Sequence, residues 1–132
     1  SIMALGKIKA DTLEHSTAGS LDTQYVVNGS AKAWLSMDRG GGSTTTFFGS
    51  LNTSSVTDTA VGKYDQNFTN SFSGATYSGV GIAQNNVNVI TNVNNTAFGS
   101  YTAGASGIVL YNGAGSAYTD VDVSTAHLGD LA

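Results

Sequence analysis

The chain has 132 residues, neither cysteine nor proline, and a formal net charge of −4 carried by only 11% charged residues. The length suits one domain, and the absence of cysteine excludes disulfides and thiolate-based zinc or redox sites. Five scattered cations, Lys7, Lys9, Lys32, Arg39 and Lys63, do not form the clustered patch that displaces counterions from nucleic acid.

In chain order, residues 1–20 read as an N-terminal arm, in which Lys7 to Leu13 is a short strand or extended segment and Glu14 to Ser20 is a loop. Residues 21–132 read as a single β domain. Tyr25-Val26-Val27 is apolar and β-branched and is followed by Asn28-Gly29, which predicts a strand and a turn. Lys32 to Met37 predicts a strand with Ala33, Leu35 and Met37 on one face and Lys32, Trp34 and Ser36 on the other. Asp38 to Ser43 is a glycine loop, and Thr44 to Leu51 returns as a strand carrying Phe47 and Phe48.

Leu51 to Thr69 predicts strand, turn, strand. Leu51, Ser54 and Val56 lead to a polar turn at Thr57 to Gly62, after which Tyr64, Gln66 and Phe68 share one face. Further strands are predicted at Thr76 to Ala83, around Val87 to Val93 with an asparagine face, at Phe98 to Ala103, at Gly107 to Tyr111 and at Ala117 to Thr125. The tail from Ala126 onward is expected to be partly mobile. About eight to ten short strands at even spacing point to an all-β fold, an antiparallel β-sandwich or jelly roll. No convincing amphipathic helix and no internal repeat is found.

Chemistry-bearing motifs are sparse. His15 and His127 fall in predicted loops or ends without a second ligand at metal spacing, which makes both solvated side chains. Asp120 and Asp122 share one strand face, but neither a calcium loop nor a cleft flanked by two carboxylates accompanies them, so they read as a solvated face. Arg39 to Ser43 lacks the Lys-Ser/Thr ending and the strand-to-helix setting of a phosphate loop. No catalytic, metal or cofactor residue is assigned. The exposed candidates for receptor contact are Tyr101, Tyr111 and Tyr118, because tyrosine suits adaptable recognition.

Three pieces, in this order, resemble a recurrent module of phage tail fibres, common in marine and cyanobacterial phages. They are Lys9-Ala10-Asp11-Thr12-Leu13, then Ala31-Lys32-Ala33-Trp34, then Asn52 to Thr69 with Asp58, Gly62, Tyr64 and Phe68, followed by Tyr77 on the next strand. The resemblance covers residues 7–80, about half of the chain; where the family often has a proline before that tyrosine, this chain has Ser73-Gly74. It implies a structural protein of the virion surface and no enzyme, with Trp34, Asp58, Gly62, Tyr64, Phe68 and Tyr77 as scaffold positions. The implied assembly is a homotrimer, a tail fibre or fibre-tip adhesin touching other virion proteins and a glycan or protein of the host surface.

No leader of charged then apolar residues opens the chain, and no apolar run approaches the ~20 residues that span a bilayer. Ser1-Ile2 ahead of Met3 reads as an expression remnant, with Met3 as the natural start. Synthesis in the infected host cytoplasm and release by lysis within a particle fit that pattern. Two alternatives remain open: a capsid decoration protein or head fibre, and a monomeric carbohydrate-binding module.

Overall fold

The computed structural model describes residues 6–38, 46–85, 87–93, 100–113 and 117–132. It is mostly β, with antiparallel sheets and one short helix. The chain divides into two compact units, one up to Ser30 and one from Ala31.

In the first unit, β1 (Thr12–His15) pairs with β2 (Gly19–Asp22), and α1 (Thr23–Gly29) follows directly. Two expectations are corrected here. The supposed loop Glu14 to Ser20 is a hairpin, with Glu14 opposite Ser20 and Gly19 turning at φ +91°. Tyr25-Val26-Val27, expected as a strand, is helical. The hairpin ladder closes at Thr12 opposite Asp22, and among the described residues no strand pairs beyond it. The backbone of residues 23–29 therefore satisfies its hydrogen bonds locally. The helix start is tied down by Thr23, whose N–H donates to the Asp11 carbonyl at 2.8 Å and whose hydroxyl donates to Ala10 O at 2.6 Å. None of the described residues of this unit is buried.

The second unit holds two sheets. One has the order β4 (Thr46–Leu51), β3 (Ala33–Asp38), β12 (Val123–Leu128), β7 (Ser78–Ala83). The other runs β11 (Ala117–Tyr118), β10 (Ala105–Asn112), β6 (Lys63–Phe68), β5 (Thr53–Ala60), with β8 (Asn88–Ile90) and β9 (Tyr101–Thr102) also paired to β10. Twelve strands thus occur among the described residues, against the eight to ten expected. The excess comes from β2, which begins in the expected loop Glu14 to Ser20, and from the expected strand Ala117 to Thr125, which divides into β11 and β12.

Alternation dictates the core. Ala33, Leu35 and Met37 are buried on β3, and Tyr64, Gln66 and Phe68 on β6, both as the period-two pattern predicts. Leu35, Met37 and Val123 from the first sheet meet Tyr64, Ile108 and Leu110 from the second in one cluster, with Val87 and Val121. A second cluster is aromatic: Phe68 meets Phe72 edge-on at 5.0 Å, Phe72 stacks on Tyr77 at 4.3 Å, and Tyr101 stands edge-on to Tyr77 at 5.0 Å.

Three further expectations are corrected. Thr57 to Ala60 continue β5 rather than turning; the turn is confined to Val61-Gly62. The tail is not loose: β12 extends through Leu128, and Leu131 bridges Phe72. The strand expected at Thr76 to Ala83 begins later, at Ser78, and of the one expected at Phe98 to Ala103 the described part is β9, Tyr101–Thr102. Arg39 and the loop at 40–43, together with Asn86, Asn94, Asn95 and Phe98, lie outside the described residues.

The chain switches sheets at Asn52, which has φ +52°, a conformation asparagine tolerates better than most residues. Its amide acts as a splint. Oδ1 accepts the Asn70 N–H at 2.6 Å, and Nδ2 donates to Asn70 O at 2.9 Å.

Candidate binding cleft

The outward side of the β10 sheet carries the candidate site. Val109 lies opposite Lys63 on β6 and opposite Ile90 on β8. Two residues on, Tyr111 is paired with Tyr118 of β11. Because side chains two apart on a strand share a face, the register gathers Val109, Tyr111, Tyr118 and Ile90 on one patch. With Val93 they line an open cleft of about 370 Å³. That volume lies within the roughly 300–1,000 Å³ typical of small-molecule sites.

The two tyrosine rings meet edge to face, 5.4 Å apart at 66°. The Lys63 ammonium sits 4.3 Å from the centre of the Tyr118 ring, where the ring quadrupole attracts a cation. The cleft therefore offers apolar and aromatic walls, with Lys63 packed on one face of Tyr118. Such a surface can stack the apolar face of a sugar or a planar side chain. Beside it the sheet is polar: Asn67 Nδ2 donates to Ser55 Oγ at 3.1 Å and to Thr57 Oγ1 at 3.0 Å.

Of the three tyrosines singled out for receptor contact, Tyr111 and Tyr118 line this cleft together. Tyr101 stands elsewhere, half-buried against Tyr77, its hydroxyl donating to Tyr77 O at 3.0 Å. The lining residues Ile90, Val93 and Val109 were not singled out. The only sequence signal for them is the pairing of β8 with β10, which joins segments some twenty residues apart.

The scaffold positions fall as follows. Trp34 is on the outward face of its sheet, its indole lying over Gly49, where an added Cβ would come within 3.0 Å of the ring. Asp58 is exposed on β5 opposite Tyr64. Gly62 has φ +67°, and a Cβ there would meet Leu110 O at 2.7 Å and Thr119 N at 2.8 Å. Tyr64, Phe68 and Tyr77 are buried. Tyr77 shares its hydroxyl proton between Ala105 O at 2.7 Å and Thr102 O at 3.1 Å. Burial, foremost, holds its phenol well above the usual value; the Ser106 hydrogen bond opposes this and Tyr101 adds to it.

Two readings of charged groups are overturned. Asp120 is not part of a solvated strand face. It precedes β12, is partly buried, and its Oδ1 accepts both the Gly62 N–H at 2.8 Å and the Tyr64 hydroxyl. Asp122 Oδ2 accepts Gln84 Nε2 at 2.9 Å. His127 is not solvated either. It has no exposed surface, packs edge-on against Phe68 at 5.4 Å and Tyr77 at 5.6 Å, and neither ring nitrogen finds a hydrogen-bond partner among the described residues. Desolvation lowers its pKa to about 4. His15 stays exposed, its Nδ1 accepting the Ala18 N–H at 3.2 Å. Among the described residues no group of three His, Cys, Asp or Glu side chains is placed to hold a metal ion.

No protein-family model, no curated protein and no solved structure matches this chain.

Proposed function

We propose that the chain is a structural protein of a phage virion surface, its two larger sheets stacked as a jelly-roll-like β-sandwich, assembled as a homotrimer that serves as a tail fibre or fibre-tip adhesin. The observation that carries the adhesive role is the open cleft in which Tyr111 and Tyr118 converge with Ile90, Val93 and Val109. Aromatic walls at a surface give contact area at low entropic cost, and several copies tethered on one particle multiply weak individual sites. The ordered resemblance across residues 7–80 supports the virion assignment independently of the cleft.

Adsorption tests it. Purified protein competes with phage for permissive cells, antibodies against it label particles, and Tyr118→Ala with Tyr111→Ala removes the competition without unfolding the chain. Wild-type protein that neither competes nor labels particles would sink the reading.

A second reading, capsid decoration protein or head fibre, is favoured by the first unit, whose described residues bury nothing and which therefore suits lying on another surface. Copy number per particle separates the two: a decoration protein covers the capsid, whereas a fibre occurs in small multiples at the tail. A monomeric carbohydrate-binding module would use the same tyrosine cleft, and the mass in solution distinguishes it.

A further inference from the structure

We infer that the outward face of the β4-β3-β12-β7 sheet is the surface through which copies of this chain associate. The inference rests on the oligomeric reading above and names the surface that reading leaves open. Alternation sets the face. With Leu35, Met37, Val123 and His127 turned inward, Trp34, Ser36, Ser124 and Ala126 turn outward, and the register adds Leu51 opposite Trp34, Val80 opposite Ala126 and Ile82 opposite Ser124.

Phe48 joins them through a β-bulge. Gly49 pairs with Ser36 and Phe47 with Met37, so Phe48 is the extra residue on its strand; a bulge of this kind re-aims a side chain. It lines one depression with Ser36, Ile82 and Ser124. Fully buried Ala33, Leu35 and Met37 need no partner, but Phe48 is 66% exposed, Val80 60% and Ile82 75%. Apolar residues gathered on one sheet face, beside an interior that is complete without them, mark an interaction surface.

Shape and area fit a second copy. Trp34, Phe48 and Leu51 form a ridge on one side, Val80 and Ile82 a ridge on the other, and Ser36, Ser124 and Ala126 the floor between. The floor is closed by the Ser124 hydroxyl donating to Ser36 Oγ at 3.0 Å, so its polar groups partner each other. A ridge of one copy fits the floor of the next. At roughly 150–250 Å² for an aromatic side chain and less for an aliphatic one, the five ridge residues, 39–75% exposed, leave on the order of 500 Å² of apolar surface in solvent. The floor and rim carry the face toward the roughly 800 Å² that each partner of a stable interface contributes.

Light scattering on a sizing column tests this with wild type, Ile82→Glu, Val80→Lys and, as a control at the remote β5–β6 turn, Val61→Glu. Far-UV circular dichroism and the urea midpoint confirm that each remains folded, as substitutions at exposed positions should. The expected result is a wild type and a Val61→Glu variant at the same multiple of the chain mass. Both face variants should run at the mass of one chain, with association weakened about 30-fold or more. A wild-type multimer whose mass survives both face substitutions would overturn this surface and leave the oligomeric reading standing. A wild type at the mass of one chain would overturn the oligomeric reading itself, and this surface with it.

Discussion

His127 shows what a single side chain decides in this fold. Both nitrogens are sealed among Phe68, Tyr77 and the neighbouring strands, with no acceptor among the described residues to take a proton's charge. The neutral ring is the form the folded chain holds, which is why its pKa falls from 6.5 to about 4. The unfolded chain binds the proton first as pH falls. The stability linked to His127 is therefore complete above pH ~6.5 and drains away as pH falls through the folded pKa, by on the order of 3 kcal/mol in all. Urea unfolding at pH 7 and pH 4 measures it. The carboxylates titrate in wild type and in His127→Phe alike, so the variant should lose clearly less stability on acidification; identical losses would refute the assignment. Gly62 makes a second residue-scale case. Its positive φ and the 2.7 Å approach that a Cβ would make to the Leu110 carbonyl leave no relaxed place for a side chain. Gly62→Ala should cost roughly 2–4 kcal/mol, combining left-handed strain with overpacking, visible as a drop in the urea midpoint at unchanged slope. The glycine was legible in the sequence as a turn residue. The burial of His127 was not, because its place near the chain end suggested fraying and only the pairing of β12 between β3 and β7 puts it in the core.

At the scale of elements, the two larger sheets are joined through a polar relay as well as through apolar packing. Thr125 Oγ1 on β12 donates to Gln66 Oε1 on β6 at 2.6 Å, and Gln66 Nε2 donates to Thr53 Oγ1 on β5 at 2.8 Å. Gln66 has no exposed surface, so each end of its amide depends on these partners. Gln66→Leu should cost roughly 1–3 kcal/mol by stranding the hydroxyl of Thr125, whereas Gln66→Leu with Thr125→Val should recover much of it, since removing both partners of a buried hydrogen bond is nearly neutral. A double-mutant cycle by urea unfolding reads this as a coupling energy; simple additivity would argue against the relay. The face that carries Gln66 was visible in the alternation of Tyr64, Gln66 and Phe68, and so was the strand at Ala33 to Met37. Period two becomes legible where one face is buried and the other is not. It failed at Tyr25 to Val27, which is helical although Val26 and Val27 are β-branched, and it could not bound β8, β9 or β11, each three residues or fewer. The same limit hid half of the cleft: the tyrosines stood out by residue type, but Ile90 and Val93 reach Tyr111 and Tyr118 only through a pairing between distant segments.

The whole molecule must reconcile few charges with much exposed apolar surface. With 11% charged residues, its solubility depends on hydroxyls and amides, yet Phe48, Val80 and Ile82 face outward together. If copies cover that surface, folding and association are linked, and stability depends on concentration by mass action. For a chain that unfolds from a trimer, a tenfold rise in concentration adds about 0.9 kcal/mol per chain, two thirds of the ~1.4 kcal/mol that a factor of ten is worth. In a domain of this size that raises the melting midpoint by roughly 2–5 °C. Scanning calorimetry at two concentrations tenfold apart should show this rise for wild type and no rise for Ile82→Glu, which should also melt lower at the higher concentration. A midpoint independent of concentration in the wild type would mean that the folded chain does not dissociate as it melts, and the link between this face and stability would have to be abandoned.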